Sequence, residues 1–94
     1  MSDEPSAARE VAIVNQKGLH LRAAAKLVSL ADTFDARIEI SRNEMIASGH
    51  DILSLMMLAA SQHSTVVLRA TGHDAETAID ALAGLIAAGF YESD

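Results

Sequence analysis

Two rhythms of apolar and polar residues run through this chain. Period two is clearest over 36–41, where Ala36, Ile38 and Ile40 alternate with Arg37, Glu39 and Ser41. That alternation predicts a strand with one face buried and the other wet. A short apolar run at 11–14, followed by Asn15, Gln16, Lys17 and Gly18 as turn residues, predicts an earlier strand. Arg42, Asn43 and Glu44 form a turn into a short strand over 45–47, and the β-branched stretch 65–70 predicts a fourth. Helical spacing takes over between these. Ala24, Leu27, Val28 and Ala31 mark a first helix over 21–31. Gly49, His50 and Asp51 open a second helix, with Asp51 suited to cap it. Ala75, Ala78, Ile79, Leu82, Leu85 and Ile86 form one stripe of a third over 74–88. Asp74 can cap its start and Gly89 can close its end. The order is β-α-β-β-α-β-α. Each helix needs its apolar face covered, which makes the fold class α+β, a two-layer sandwich. The pattern leaves the strand order open.

Composition narrows the function. The chain has 94 residues, enough for one domain with a modest core, here expected over 11–94. Residues 1–10 are polar and mostly acidic and predict a flexible tail, without the basic start and apolar stretch of a signal peptide. No apolar run approaches the ~20 residues that span a membrane, so no membrane insertion is expected. There is no cysteine, which removes disulfide and thiolate chemistry and fits a cytoplasmic protein. A net charge of −6 and only three aromatics, Phe34, Phe90 and Tyr91, argue against nucleic acid as a partner.

The candidate chemistry sits at 18–26, Gly-Leu-His-Leu-Arg-Ala-Ala-Ala-Lys. His20 and Arg22 fall at the first turn of the first helix, where unpaired backbone N–H groups and the positive end of the helix dipole favour an anion. An imidazole there can be a nucleophile, and a product bearing phosphoryl oxygens would meet those donors and the guanidinium. The arrangement suggests phosphoryl chemistry on His20; the plainer alternative is a histidine that caps the turn. Arg22 otherwise opposes the helix dipole slightly, which an anion visiting the same end would relieve. His50, His63 and His73 share no metal-ligand spacing with His20 or one another, so no metal site is expected, and no glycine-rich nucleotide loop is present. Over 52–60 Ser54 is the only polar residue. Ile52, Leu55, Met56 and Ala59 cover one arc while Leu53 and Met57 point away, so part of this helix is expected to be exposed as a docking patch.

The 18–26 motif resembles the active-site motif of the histidine-containing phosphocarrier (HPr) family of the bacterial phosphotransferase system. Asp51-Ile-Leu-Ser-Leu-Met-Met-Leu-Ala-Ala60 is similar to the family's second helix, at the expected distance from His20. Ala70-Thr-Gly72 and the ending Gly89-Phe90-Tyr91-Glu92 are most similar to its nitrogen-branch carriers. The resemblance implies an open-faced sandwich, with a four-stranded antiparallel sheet ordered 1-4-2-3 and three helices on one face. It implies a covalent carrier, not a turnover enzyme, without cofactor. His20 would accept the phosphoryl group through Nδ1 from an enzyme I-type donor and pass it to an enzyme IIA-type acceptor domain. Arg22 would stabilise the group, and the backbone N–H groups of Leu21, Arg22 and Ala23 would bind its oxygens. Lys26, Ile52, Leu53 and Met56 would meet the partners, and a monomer would suffice. Ala23 departs from the common proline, a change shared by some nitrogen-branch carriers. Asp51 stands where some carriers have a regulatory serine, so it is expected to cap the helix and not to be modified. Three alternatives stay open: a sugar-branch carrier, a regulatory docking module that needs no phosphorylation, and a small-anion-binding regulatory domain.

Overall fold

The structure is a computed structural model and describes residues 4–92. Its elements run β1 (Ser6–Ala12), α1 (Leu21–Ala31), β2 (Arg37–Arg42), β3 (Met45–Ser48), α2 (Ile52–Met56), β4 (Thr65–Thr71) and α3 (Ala75–Ala87), closed by a 3-10 turn, Gly89–Tyr91. The four strands form one sheet in the order β1-β4-β2-β3, every pair antiparallel. Alternation along the strands decides which face is covered. Ile38, Ile40, Val66, Leu68 and Ala70 are buried, while Arg37, Glu39, Thr65 and Arg69 are exposed. The three helices lie on the buried face, giving the open-faced α+β sandwich that the resemblance implied.

The core forms where helix stripes meet that face. Ala24, Leu27 and Ala31 of α1, Leu55 of α2 and Ala78, Ile79, Leu82 and Ile86 of α3 are all buried. The stripe read on the third helix is buried in full. Asp51 caps α2 as expected, its Oδ1 accepting from the Ser54 backbone N–H at 3.2 Å. Gly89 takes a left-handed φ of 63° and ends α3.

Three expectations are corrected. The first strand starts at Ser6, five positions ahead of the expected 11–14, so residues 6–10 of the expected tail belong to the sheet. Ser6 pairs with Thr71 and Ala12 with Thr65. As an edge strand with only Ala7 and Val11 half-buried, β1 is held by its backbone ladder with β4 and carries no clear apolar alternation. Residues 1–3 of the expected tail lie outside the described residues. The second helix stops at Met56, short of the apolar run's end at Ala60. Ala59 takes a φ of 51° and turns the chain so that Leu58 and Ala60 reach the core. Asp74 does not cap α3 with its side chain. Its φ and ψ of −99° and 21° lack the extended shape of an N-cap, and its carboxylate turns to the Asp35 N–H at 2.8 Å and to His73.

One glycine fixes the entry to α1. Gly18 has φ 65°, and a Cβ there would stand 2.4 Å from the Ala60 carbonyl oxygen and 2.9 Å from Ser61 Cα. The loop after β1 is therefore pressed onto the loop after α2, where the Leu19 N–H donates to the Ala60 carbonyl at 2.9 Å. Gly84, inside α3, would meet nothing within 4 Å. Gly18→Ala should lower stability by more than the ~1–2 kcal/mol of left-handed backbone alone, whereas Gly84→Ala should raise it by ~0.4–1 kcal/mol. Urea midpoints of the two variants check this; equal midpoints would contradict the packing at Gly18.

Candidate functional site at the start of the first helix

The turn that carries the site is locked from both sides. The Gly18 N–H donates to the Asn15 carbonyl at 3.1 Å, and Asn15 Nδ2 donates back to the Gly18 carbonyl at 2.8 Å. Leu19 is buried beneath the turn. The next residue, His20, is the N-cap of α1, with extended φ and ψ of −78° and 179°. Its carbonyl accepts the first helical bond, from the Ala24 N–H at 2.8 Å. The imidazole thus hangs over the first turn, where the N–H groups of Leu21, Arg22 and Ala23 have no partner within the helix.

Both ring nitrogens are engaged. Nδ1 accepts from the Arg22 backbone N–H at 3.2 Å, and Nε2 bonds Glu92 Oε2. A nitrogen that accepts needs its lone pair, and one facing a carboxylate needs its proton. This network assigns the Nε2–H tautomer and leaves the Nδ1 lone pair towards the helix N-terminus. The ring is half-buried beside an open cavity of about 700 Å³, also lined by Lys17, Arg22, Lys26, Tyr91 and Glu92. Three cations against one carboxylate make the hollow anion-attracting, although the whole chain is acidic.

Glu92 reaches the ring because the chain doubles back after α3. Phe90 is fully buried, and its carbonyl accepts from Lys26 Nζ at 2.6 Å. Glu92 Oε1 accepts from Asn15 Nδ2 at 2.9 Å while Oε2 faces His20. Burial pushes the Glu92 carboxyl up, but the bonds from Asn15 and His20 and the nearby Lys17 ammonium hold it below the ordinary glutamate value.

The residues singled out from sequence fall into three groups. His20, Leu21 and Arg22 meet at the cavity. Ala23 is fully buried, whereas Leu21 and Arg22 are exposed. Lys26 lines the same hollow, tied to the Phe90 carbonyl. On α2, Leu53 and Met56 are exposed and Ile52 is half-buried, and Met57, which follows the helix, is exposed as well. The other histidines stand apart. His50 pairs with Asp32 at 2.7 Å, His73 with Asp74 at 3.0 Å, and the His63 N–H donates to the Ile13 carbonyl at 2.7 Å. No group of side chains suited to a metal ion occurs among the described residues. Sequence reasoning missed Asn15 and Glu92 as site residues. Glu92 lies 72 positions from His20, and only the left-handed signal of Gly89 before an apolar Phe90 hints that the chain folds back.

The family described as "PTS HPr component phosphorylation site" matches residues 7–88. The chain belongs to this HPr family. It is accordingly a phosphocarrier of the phosphotransferase system and not a turnover enzyme. It is 45% identical to the phosphocarrier protein NPr of Shewanella violacea, over 90% of this chain and 93% of that protein. It is 44% identical to the phosphocarrier protein HPr of Cupriavidus necator, over 92% of this chain and 97% of that protein. Among solved structures, an HPr from Thermoanaerobacter tengcongensis superposes with a TM-score of 0.89 at 35% identity, covering 94% of this chain and 99% of that one.

The Glu92 environment predicts a titration. Carbon NMR of its side-chain carboxyl should give a midpoint below the ordinary glutamate value of about 4.3. The folded value lies below the unfolded one, so the stability this group supplies is complete above that range and is lost as pH falls through the folded midpoint. A midpoint at or above the ordinary value would contradict the bonds to Asn15 and His20.

Proposed function

We propose that His20 is the phosphoryl acceptor, attacking through Nδ1. The observation that carries this is the imidazole at the helix N-cap, with Nε2 committed to Glu92 and the Nδ1 lone pair facing the first-turn amides. When phosphorus arrives at Nδ1, its oxygens come within reach of the Leu21 and Arg22 N–H groups, which a helix N-terminus offers to anions. The Arg22 N–H that now bonds Nδ1 becomes a phosphate donor. Arg22 lines the same hollow, and the planar fork of its guanidinium suits two phosphoryl oxygens.

The donor is an enzyme I-type protein charged from phosphoenolpyruvate, and the acceptor is a histidine on an enzyme IIA-type regulatory domain. Both dock in turn over His20 and the apolar surface of Leu53 and Met56, so they compete. The open hollow suits such a relay, because two different proteins must reach one nitrogen. One chain supplies the whole site, so the carrier works as a monomer, and it works in the cytoplasm. Ala23 and the 45% identity to a carrier named NPr support the nitrogen branch, beside 44% identity to a carrier named HPr, and transfer from the two types of donor separates the branches.

The test is transfer from labelled phosphoenolpyruvate through nitrogen-type and sugar-type enzyme I, with each histidine replaced in turn. An acid-labile, base-stable label should form fastest with the nitrogen-type donor. It should disappear in His20→Ala and persist in His50→Ala, His63→Ala and His73→Ala. Arg22→Ala should transfer more slowly. Losing a charge-assisted bond of ~1.5–3 kcal/mol corresponds to a fall of about 10- to 150-fold in rate. Label retained in His20→Ala would overturn the assignment, and faster charging by the sugar-type donor would move the carrier to that branch.

A further inference from the structure

The segment after α3 does more than finish the chain. Gly89, Phe90 and Tyr91 run consecutively in the left-handed region, with φ of 63°, 57° and 58°. Left-handed backbone is unfavourable at Phe90 and Tyr91, so something must hold it there. The buried Phe90 ring, the Lys26 ammonium on the Phe90 carbonyl and the Asn15 amide on Glu92 supply that hold. The outcome of this fold-back is one carboxylate oxygen placed on His20 Nε2. We propose that Glu92 is a positioning residue for phosphoryl transfer, fixing the Nε2–H tautomer of His20 and stabilising the positive charge its ring acquires when Nδ1 bonds phosphorus. This rests on His20 being the acceptor.

The chemistry balances without moving a proton on this chain. As the Nδ1–P bond forms, the bond from phosphorus to the donor's histidine nitrogen breaks, and the donor imidazole leaves with the electron pair. His20 keeps its Nε2 proton and becomes an imidazolium, its charge lying between the phosphoryl oxygens and the Glu92 carboxylate. On forward transfer the Nδ1–P bond breaks, its electron pair returns to Nδ1, and the ring is neutral again with the same proton on Nε2. A carboxylate held on the far nitrogen of an imidazole stabilises such a charge and selects the reactive tautomer. Its repulsion for the incoming phosphoryl group is limited by geometry, because the two ring nitrogens point apart, and is opposed by Lys17 and Arg22 at the hollow.

Asn15 turns this into a sharp test. Its Nδ2 needs an acceptor at the Oε1 position of residue 92. In Glu92→Gln the amide oxygen must take that place, which leaves the amide nitrogen donating towards His20 Nε2. The near-isosteric change therefore sets a donor against Nε2–H and favours the opposite tautomer, in which the proton on Nδ1 displaces the Arg22 N–H bond. Long-range proton–nitrogen correlation of nitrogen-15 histidine-labelled protein at pH 9 reads the tautomer directly. The expected results are Nε2–H in the wild type, Nδ1–H in Glu92→Gln and a mixture in Glu92→Ala. Phosphoryl uptake should fall at least about tenfold in Glu92→Gln and less in Glu92→Ala, an order that a merely structural role would not produce. Wild-type tautomer with wild-type uptake in Glu92→Gln would overturn the proposal. Failure of the carrier assignment shows itself differently: the wild type then takes up no phosphoryl group, which also overturns the transfer role, whereas the tautomer is read on protein that has met no donor.

Discussion

The bond from the Leu19 N–H to the Ala60 carbonyl is the contact on which the site depends. It joins the loop after β1 to the loop after α2, with the backbone of Gly18 packed against Ala60 and Ser61 too closely for any side chain. This clamp decides where α1 begins. Because the chain enters the helix extended at His20, the imidazole sits at the N-cap and not one turn further along, where it would face intrahelical bonds instead of amides without a partner in the helix. The same clamp sets α2 against α1, so the exposed side chains of Leu53 and Met56 belong to a helix packed on the one that His20 caps.

Charge is distributed to suit the same end. The chain carries a net charge of −6, yet Lys17, Arg22 and Lys26 line the hollow beside His20. Their roles differ. Lys26 is tied to the Phe90 carbonyl and so to the path of the C-terminal segment, while Arg22 lines the hollow and has its backbone N–H on the ring. A small cationic spot on an acidic body favours an anion locally while the surrounding field shapes which protein surfaces approach.

Much of this was legible in the chain. Alternation over 36–41 and helical spacing over 21–31 are local signals, and the elements formed where they pointed. The N-cap role of His20 follows from a turn ending in glycine just before that spacing begins. What escaped was non-local. β1 is stabilised by its ladder with β4, so residues 6–10 show no apolar rhythm. Asp74 has the right chemistry for a cap, but the Asp35 amide claims its carboxylate. Ala59 and Ala60 continue an apolar run, yet the chain turns there because the Ala60 carbonyl must meet Leu19. Glu92 is the largest omission, since nothing near it in sequence indicates that a residue 72 positions away is its partner.

Of the two ring nitrogens of His20, Nε2 is held by Glu92 and Nδ1 faces the helix N-terminus. The most direct measurement is the regiochemistry of the phosphorylated protein, read from phosphorus–nitrogen coupling in nitrogen-15 histidine-labelled material. Phosphorus bonded to Nδ1 of His20, with Nε2 still protonated, is the result the geometry predicts. Phosphorus on Nε2, the nitrogen held by Glu92, would contradict it.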